Sequence, residues 1–481
     1  MNPLAFILGL PAGAALLFAF IPSFRIAANL NVLASLLTFV ASLSLFYVRP
    51  ETSLFFLIDD FNIYLIVLTA FVALTTSLFS ARYIRHEIET GRVMPHHVRF
   101  YHSMYQAFIF TMLLALSANN FGILWVAIEG ATLSTVLMVG LYRTPQAIEA
   151  AWKYFILCGV GIALALFGTI LLYMAAQPVI GTGLPAMAWS VLLPKVAGFD
   201  PMALNLAFVF LLIGYGTKVG LAPLHAWLPD AHAEGPTPIS AVLSGLLLNV
   251  ALYAVLRFKM LLAGNARALA PGPLMITMGL GSLLLASFML YRRRDIKRLF
   301  AYSSIEHMGI MTFAFGMGGP LANFAGLLHM TMHSLTKSAI FYDVGFISQD
   351  KDTQKIGEIR GLTDNLPLLG WALVFGVLAI AGLPPFGVFL SEFLIVTSTF
   401  AREPLLAIPL VLGLLVAFGA LILHVQGMAF GAGEERTKNR ASIGTMALVP
   451  LFTHLGLVLM AGIYLPGPLV AWFQHVAKLL G

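Results

Sequence analysis

The sequence predicts an all-α integral membrane protein of about fourteen transmembrane helices, built as one membrane domain. Three observations carry this: an apolar, charge-poor composition, apolar runs long enough to cross a bilayer, and a one-sided distribution of lysine and arginine. Hydrophobic residues make up 59% of the 481 residues and charged residues only 10%, with a mean hydropathy of +0.91, whereas a soluble domain carries about 25% charged residues. No Gly/Ser-rich, Pro-rich or charge-run linker divides the chain, so several soluble domains are not expected.

Apolar runs of about 18 or more residues each suffice to cross roughly 30 Å of hydrocarbon at about 1.5 Å per residue. They fall at 3–21, 28–48, 61–82, 103–119, 121–142, 149–175, 203–222, 239–263, 273–291, 299–318, 322–348, 367–398, 404–430 and 443–465. Within the single domain, N-terminal helices fall over 1–102, spans 4–8 over 103–263, spans 9–13 over 273–430, and a last helix with a tail over 443–481. The first run lacks a basic n-region and a small-residue cleavage site, so it is expected to be a span and not a signal peptide. Two spans are expected to be broken. The seventh runs into Ala222-Pro223-Leu224-His225, and the twelfth contains Gly382-Leu383-Pro384-Pro385 at its centre. Proline removes a backbone donor and clashes with the preceding turn. Paired broken helices in two halves of a chain point to a transport site.

The net charge of +6 does not imply nucleic-acid binding, because the basic residues form no stripe and sit between apolar segments. Of the 27 lysines and arginines, 18 lie in loops after odd-numbered spans, among them Arg82, Arg85, Arg92, Arg99, the run Arg292 to Arg298, and Arg436, Lys438 and Arg440. Seven follow even-numbered spans: Arg49, Lys195, Arg257, Lys259, Arg267, Arg402 and Lys478. By the positive-inside rule both termini face outward from a prokaryotic cytoplasmic membrane. The single cysteine, Cys158, lies in an apolar run, which excludes an internal disulfide and argues against a Cys-held cluster. No cofactor is expected in this chain, and redox chemistry belongs to partners.

The remaining two cations, Lys218 and Lys337, fall inside spans, as do Glu129, Glu306 and Glu392. An ionised side chain at mid-bilayer costs about 2.5–3.5 kcal/mol on insertion scales, so each is a site candidate. Helix–helix ion pairing or snorkelling to the interface is the competing reading. His329, His333 and Lys337 recur every four residues and share one helix face, a pattern that lines water. Two histidines four apart also suit zinc, but neither a nearby Glu-based motif nor a cysteine completes a site, so no metal is expected. The set supplies what proton transfer needs. A carboxylate beside a buried lysine favours its charged form, so pairing and unpairing Glu129 and Lys218 would switch whether the lysine holds a proton. Histidines suit the relay between lysines.

The run Gly214-Tyr215-Gly216-Thr217-Lys218-Val219-Gly220-Leu221-Ala222-Pro223-Leu224-His225-Ala226-Trp227-Leu228-Pro229-Asp230-Ala231-His232, followed by Pro236-Thr237-Pro238, resembles the signature of the antiporter-like subunits. These are shared by respiratory complex I, group 4 membrane-bound hydrogenases and Mrp-type cation/proton antiporters. Ala301 to Gly309 and His333 to Ala339 resemble hydrogenase-4 component F most, with the subunit M type as the complex I relative. The resemblance covers nearly the whole chain and implies two inverted five-helix repeats, spans 4–8 and 9–13. Carried over by position, Glu129 matches the span 5 glutamate, Lys218 the span 7 lysine and Glu392 the span 12 acid. His307 and His333 match histidines of spans 10 and 11, and His225 lies within the signature. The spacing from Glu129 to Lys218 is 89 residues and from Glu306 to Glu392 is 86, compatible with such a repeat. Where complex I subunits carry lysine or histidine in span 8, this chain has Asn249. Lys337 is the candidate replacement.

The resemblance implies a proton-translocating subunit, and together with the charges buried within the spans it gives Glu129, Lys218, His225, Glu306, His307, His329, His333, Lys337 and Glu392 as the expected proton-transfer residues. Implied partners are other membrane subunits of one complex and a peripheral hydrogenase or dehydrogenase module with iron-sulfur clusters, all in the lipid bilayer. Two other readings remain open at this level: a Na⁺/H⁺ antiporter subunit or membrane partner of an ion-coupled inorganic-carbon uptake system, and a scaffold with a vestigial ion path.

Overall fold

In a computed structural model, residues 2–96, 98–432 and 444–481 are described. Arg436, Lys438 and Arg440 lie outside the described residues. The helices are α1 (Pro3–Phe18), α2 (Phe24–Leu43), α3 (Asp60–Glu89), α4 (Tyr101–Ser117), α5 (Phe121–Val139), α6 (Pro145–Ile180), α7 (Trp189–Leu192), α8 (Pro201–Val219), α9 (Trp227–Glu234) and α10 (Thr237–Val242). They continue as α11 (Leu248–Ala263), α12 (Gly272–Leu290), α13 (Ile296–Met317), α14 (Gly319–Lys351), α15 (Leu362–Asn365), α16 (Pro367–Ile380), α17 (Gly387–Arg402), α18 (Pro404–Phe430), α19 (Thr445–Ile463) and α20 (Gly467–Leu479). Among the described residues there is no β-strand. Nine helical stretches among those residues are long and apolar enough to cross a membrane. The site helices α13 and α14, with 22 and 33 residues, miss that measure by composition and not by length.

Both expected breaks are present and use one local device. At the first, Gly220 sits in the left-handed region (φ 83°), with its N–H on the Thr217 carbonyl and the Leu221 N–H on that of Gly216. At the second, Gly382 has φ 68°, with its N–H on the Ala379 carbonyl and the Leu383 N–H on that of Leu378. This pair of bonds closes a helix C-terminus and needs a residue that tolerates positive φ. Each cap is followed by proline, at Pro223 and at Pro384-Pro385, so neither helix can continue. The Trp227 indole N–H adds a second donor to the Thr217 carbonyl across the first break at 2.7 Å. A third irregularity was not anticipated: within span 8 a π-turn (Leu243–Leu247) separates α10 from α11. The Ser334 hydroxyl of α14 donates to the Gly245 carbonyl there at 2.6 Å.

The loops sort into two ends. Arg92 pairs with Asp352, the Ile356 N–H bonds the Arg294 carbonyl, and Arg298 pairs with Asp230 and Glu234, so segments after odd-numbered spans meet one another. At the other end Arg257 pairs with Asp59 at 2.7 Å and Arg49 with Asp60. The tail after span 14 forms the amphipathic helix α20, which buries Phe473, Val476 and Ala477 against that second end. Lys259 donates to the Leu480 carbonyl at 3.0 Å, and Asn323 to that of Ala477 at 3.1 Å. Glycines let helix backbones approach closely where the sites need rigid walls: Gly214 of α8 packs on Gly161 and Ala165 of α6, and Gly279 of α12 on Gly309 of α13.

Candidate functional site

The first cluster forms where α5, α6 and α8 meet. Lys218 lies on the last turn of α8, two residues before Gly220, and is fully buried. Its ammonium is 3.8 Å from the Glu129 carboxylate and donates to the Thr132 hydroxyl. An ammonium only donates, so Thr132 accepts there, and its own proton has two acceptors at 3.3 Å, Glu129 Oε2 and the Ile128 carbonyl. Threonine three residues after the glutamate lies on the same face of α5. The Thr132 hydroxyl thus links the Lys218 ammonium to the Glu129 carboxylate. The lysine also sits 5.8 Å from the Tyr154 ring, whose hydroxyl bonds Thr135 at 2.7 Å. Glu129 keeps 20% side-chain exposure while Lys218 has none, so the acid is the end of the pair nearest the surroundings.

The second cluster is larger and lies between α13, α14 and α17. His307 Nδ1 is 2.9 Å from His329 Nε2 and 3.9 Å from Glu392 Oε1, while His307 Nε2 is 3.8 Å from Glu306 Oε2. The His333 ring lies 5.5 Å from that of His307, tilted by 42°, with both ring nitrogens unpartnered. Glu392 follows the second break, and its carboxylate folds back onto Gly382, where any side chain would collide with it. Tautomers follow from the hydroxyl next to the acid. The Ser391 hydroxyl donates to the Val388 carbonyl at 2.8 Å, so at its 2.9 Å contact with His329 Nδ1 serine accepts. With the Ser391 proton on Val388, neutral His329 carries its proton on Nδ1 and a lone pair on Nε2, and His307 Nδ1–H donates to it.

Lys337 is buried, with its ammonium donating to the Phe300 carbonyl at 2.9 Å. No carboxylate lies within ion-pair distance of it among the described residues; Glu306 acts on it only through space. Asn249 donates to the Met330 carbonyl at 3.2 Å and to Ser334 Oγ at 2.7 Å, which ties α11 to the helix carrying His333 and Lys337. His225 stands apart from both clusters. It is half-buried in the first break, with Nδ1 unpartnered and its ring 6.3 Å from that of Tyr302.

Sequence reasoning missed Thr132, Ser391 and His232. His232 is fully buried with Nε2 unpartnered, bonds the Leu228 carbonyl through Nδ1 at 2.9 Å, and lies in electrostatic reach of Lys337 and Lys297. Its signal was its place in the signature beside Lys218.

Helices broken within an apolar bundle, with buried acids, lysines and histidines gathered at and beside the breaks, define a membrane protein of the ion-translocating class. The chain belongs to the family of antiporter-like membrane subunits described as NADH:quinone oxidoreductase/Mrp antiporter, whose profile matches residues 118–418. It is 62% identical over 465 residues to a hydrogenase-4 component F homolog of Methylacidiphilum infernorum (isolate V4), covering 97% of each chain. Its fold superposes on a chain of the archaeal membrane-bound sulfane sulfur reductase with TM-score 0.88 at 22% identity, covering 99% of this chain and 97% of that one. On a chain of respiratory complex I from Thermus thermophilus the TM-score is 0.81 at 22% identity, with both chains covered in full (100%). At such identities these two likenesses concern the fold.

Proposed function

We propose that this chain is the proton-translocating membrane subunit of a redox-driven complex of the membrane-bound hydrogenase or NADH dehydrogenase type. The observation that carries the reading is the pair of buried clusters, one at each helix break, each combining an acid, a base and a hydroxyl in a line of donors. The 62% identity to a hydrogenase-4 component F homolog supports hydrogenase-type partners, with the iron-sulfur chemistry outside this chain. Fourteen spans follow if α8 with α9, α10 with α11, and α16 with α17 each count as one crossing, α7 and α15 being single turns and α20 lying on one end. The shared Gly-Leu-X-Pro break in α8–α9 and α16–α17 supports two inverted repeats. The arginine-rich end is then the cytoplasmic one, with both termini outside.

In mechanism, the Lys218 ammonium and the Glu129 carboxylate, 3.8 Å apart with the Thr132 hydroxyl beside both, place a proton donor next to an acceptor, so a proton can pass as the pair is made and broken. The second cluster passes a proton between Glu306 and Glu392 through His307, because each ring nitrogen of an imidazole can take a proton on one side and release one on the other. Lys337, with Asn249 unable to titrate, is the cation between the two. His225 and His232 line the side facing the arginine-rich loops and suit proton uptake there. The test is purification from the native membrane followed by reconstitution in vesicles. Co-purification with an iron-sulfur or nickel-bearing subunit, and redox-driven acidification independent of Na⁺, are the expected results. Acidification that requires a Na⁺ gradient and no redox partner would overturn the reading in favour of cation exchange.

A further inference from the structure

We propose that His307, His329 and Glu392 form a binding site for a divalent transition metal of the zinc type, whose occupation stops proton transfer through the second half of the chain. It rests on the reading of these residues as part of the proton path, but metal binding is measurable without pumping. His307 Nδ1, His329 Nε2 and a Glu392 oxygen all lie within 4.8 Å of one another. Two imidazoles and one carboxylate, with a fourth position left for water, are a donor set that suits Zn²⁺ with bonds of about 2.0–2.2 Å. Donors about 2.0–2.2 Å from a tetrahedral ion stand about 3.3–3.6 Å apart, so the imidazole pair at 2.9 Å has to open slightly and the carboxylate at 3.9 Å to move in, both within the reach of small side-chain movements.

The surroundings are those of a metal site and not of three residues that happen to meet. His329 offers a bare Nε2 because Ser391, whose own proton is committed to Val388, fixes the other nitrogen as the donor. Metal-binding imidazoles are oriented in this way through their second nitrogen. For His307 to ligate through Nδ1, its proton must move to Nε2. That nitrogen and Glu306 Oε2 are both buried without a hydrogen-bond partner and face each other at 3.8 Å. A metal on Nδ1 would thus complete a carboxylate–imidazole–metal line and satisfy two orphaned atoms at once. His333, unpartnered at both nitrogens with its ring 5.5 Å from that of His307, stands by as a fourth ligand. Glu392, with 12% side-chain exposure against none for His307, is the ligand through which the ion enters. A bound ion takes the lone pairs that would carry protons, so it blocks the relay without changing the fold.

The experiment uses the assembled membrane complex, treated with chelator and then titrated with Zn²⁺ alone. X-ray absorption at the zinc edge should show two imidazole nitrogens and one carboxylate oxygen on an ion retained by the wild type. Glu392→Gln and His329→Gln should each weaken that binding at least about tenfold relative to the wild-type complex. Ser391→Ala, which removes no ligand and leaves the packing intact, should weaken it by several fold and keeps the test decisive if a ligand variant fails to assemble. Zinc retained equally by wild type and Ser391→Ala, or bound without imidazole, would overturn the site. So would loss of retained zinc on replacing only His475, an exposed residue of α20 that pairs with Asp60 at 3.1 Å, away from the cluster. Failure of zinc to bind alongside intact pumping would remove the metal site and leave the proton path standing.

Discussion

In the half of the chain around α8, Lys218 faces Glu129 at 3.8 Å with one threonine hydroxyl between them. In the half around α17 the lysine and the acids are held apart, with Lys337 on a backbone carbonyl and imidazoles filling the space between Glu306 and Glu392. The charges also sit on opposite sides of the breaks: Lys218 lies two residues before Gly220, Glu392 ten after Gly382. One cap geometry therefore serves two chemistries. On the proposed function the first cluster acts as a switch, with one acid and one base in short-range contact. On the same reading the second acts as a conductor, where among the described residues no lysine pairs with Glu306 or Glu392 and the histidines between them can pass a proton on. A partly exposed acid suits gating by the surroundings, and a buried histidine row suits transfer over distance.

This comparison breaks most sharply at Lys337. If it carries the central step, Lys337→Ala should lower redox-driven pumping about a hundredfold or more, the scale of losing a positioned proton-transfer group. Adding Asn249→Lys should restore part of it, since that side chain already reaches the Met330 and Ser334 groups of the same helix. Full pumping by Lys337→Ala in vesicles would leave the conductor to His333 and water. A smaller effect separates switch from conductor. Glu129→Gln and Lys218→Ala should be strongly non-additive, with a coupling on the order of 1–3 kcal/mol in a double-mutant cycle of pumping rates. Glu129→Gln and Lys337→Ala, in different halves, should give losses that add within about 0.5 kcal/mol. The smallest effect belongs to Ser391→Ala. Loss of the bond that fixes the His329 tautomer should cost about 1 kcal/mol, roughly fivefold in rate, and a rate equal to wild type would show that the tautomer does not matter.

The breaks and the buried charges were legible in the sequence because proline inside an apolar run and an ionisable residue at membrane depth are both costly and have few excuses. The hydroxyl partners were not, since threonine and serine are ordinary in transmembrane helices. Only contact shows that Thr132 and Ser391 point into the clusters. The four-residue spacing of His329, His333 and Lys337 correctly marked one buried face but suggested a straighter line than exists. With about 3.6 residues per turn, each step of four rotates the side chain by about 40°. By Lys337 the face has turned away from Glu392 and toward Phe300. The amphipathic α20 and the π-turn escaped because a short amphipathic tail and a single extra backbone residue leave no break in hydropathy. Asn249 read as a missing base; its amide instead joins α11 to α14.

The claim that the paired acid and base near the first break drive proton transfer is tested most directly by Lys218→Ala in the assembled complex, with redox turnover and vesicle acidification recorded together. The account predicts an inserted, assembled subunit whose complex loses proton transfer coupled to electron flow. Wild-type proton-to-electron ratios from the alanine variant would contradict it.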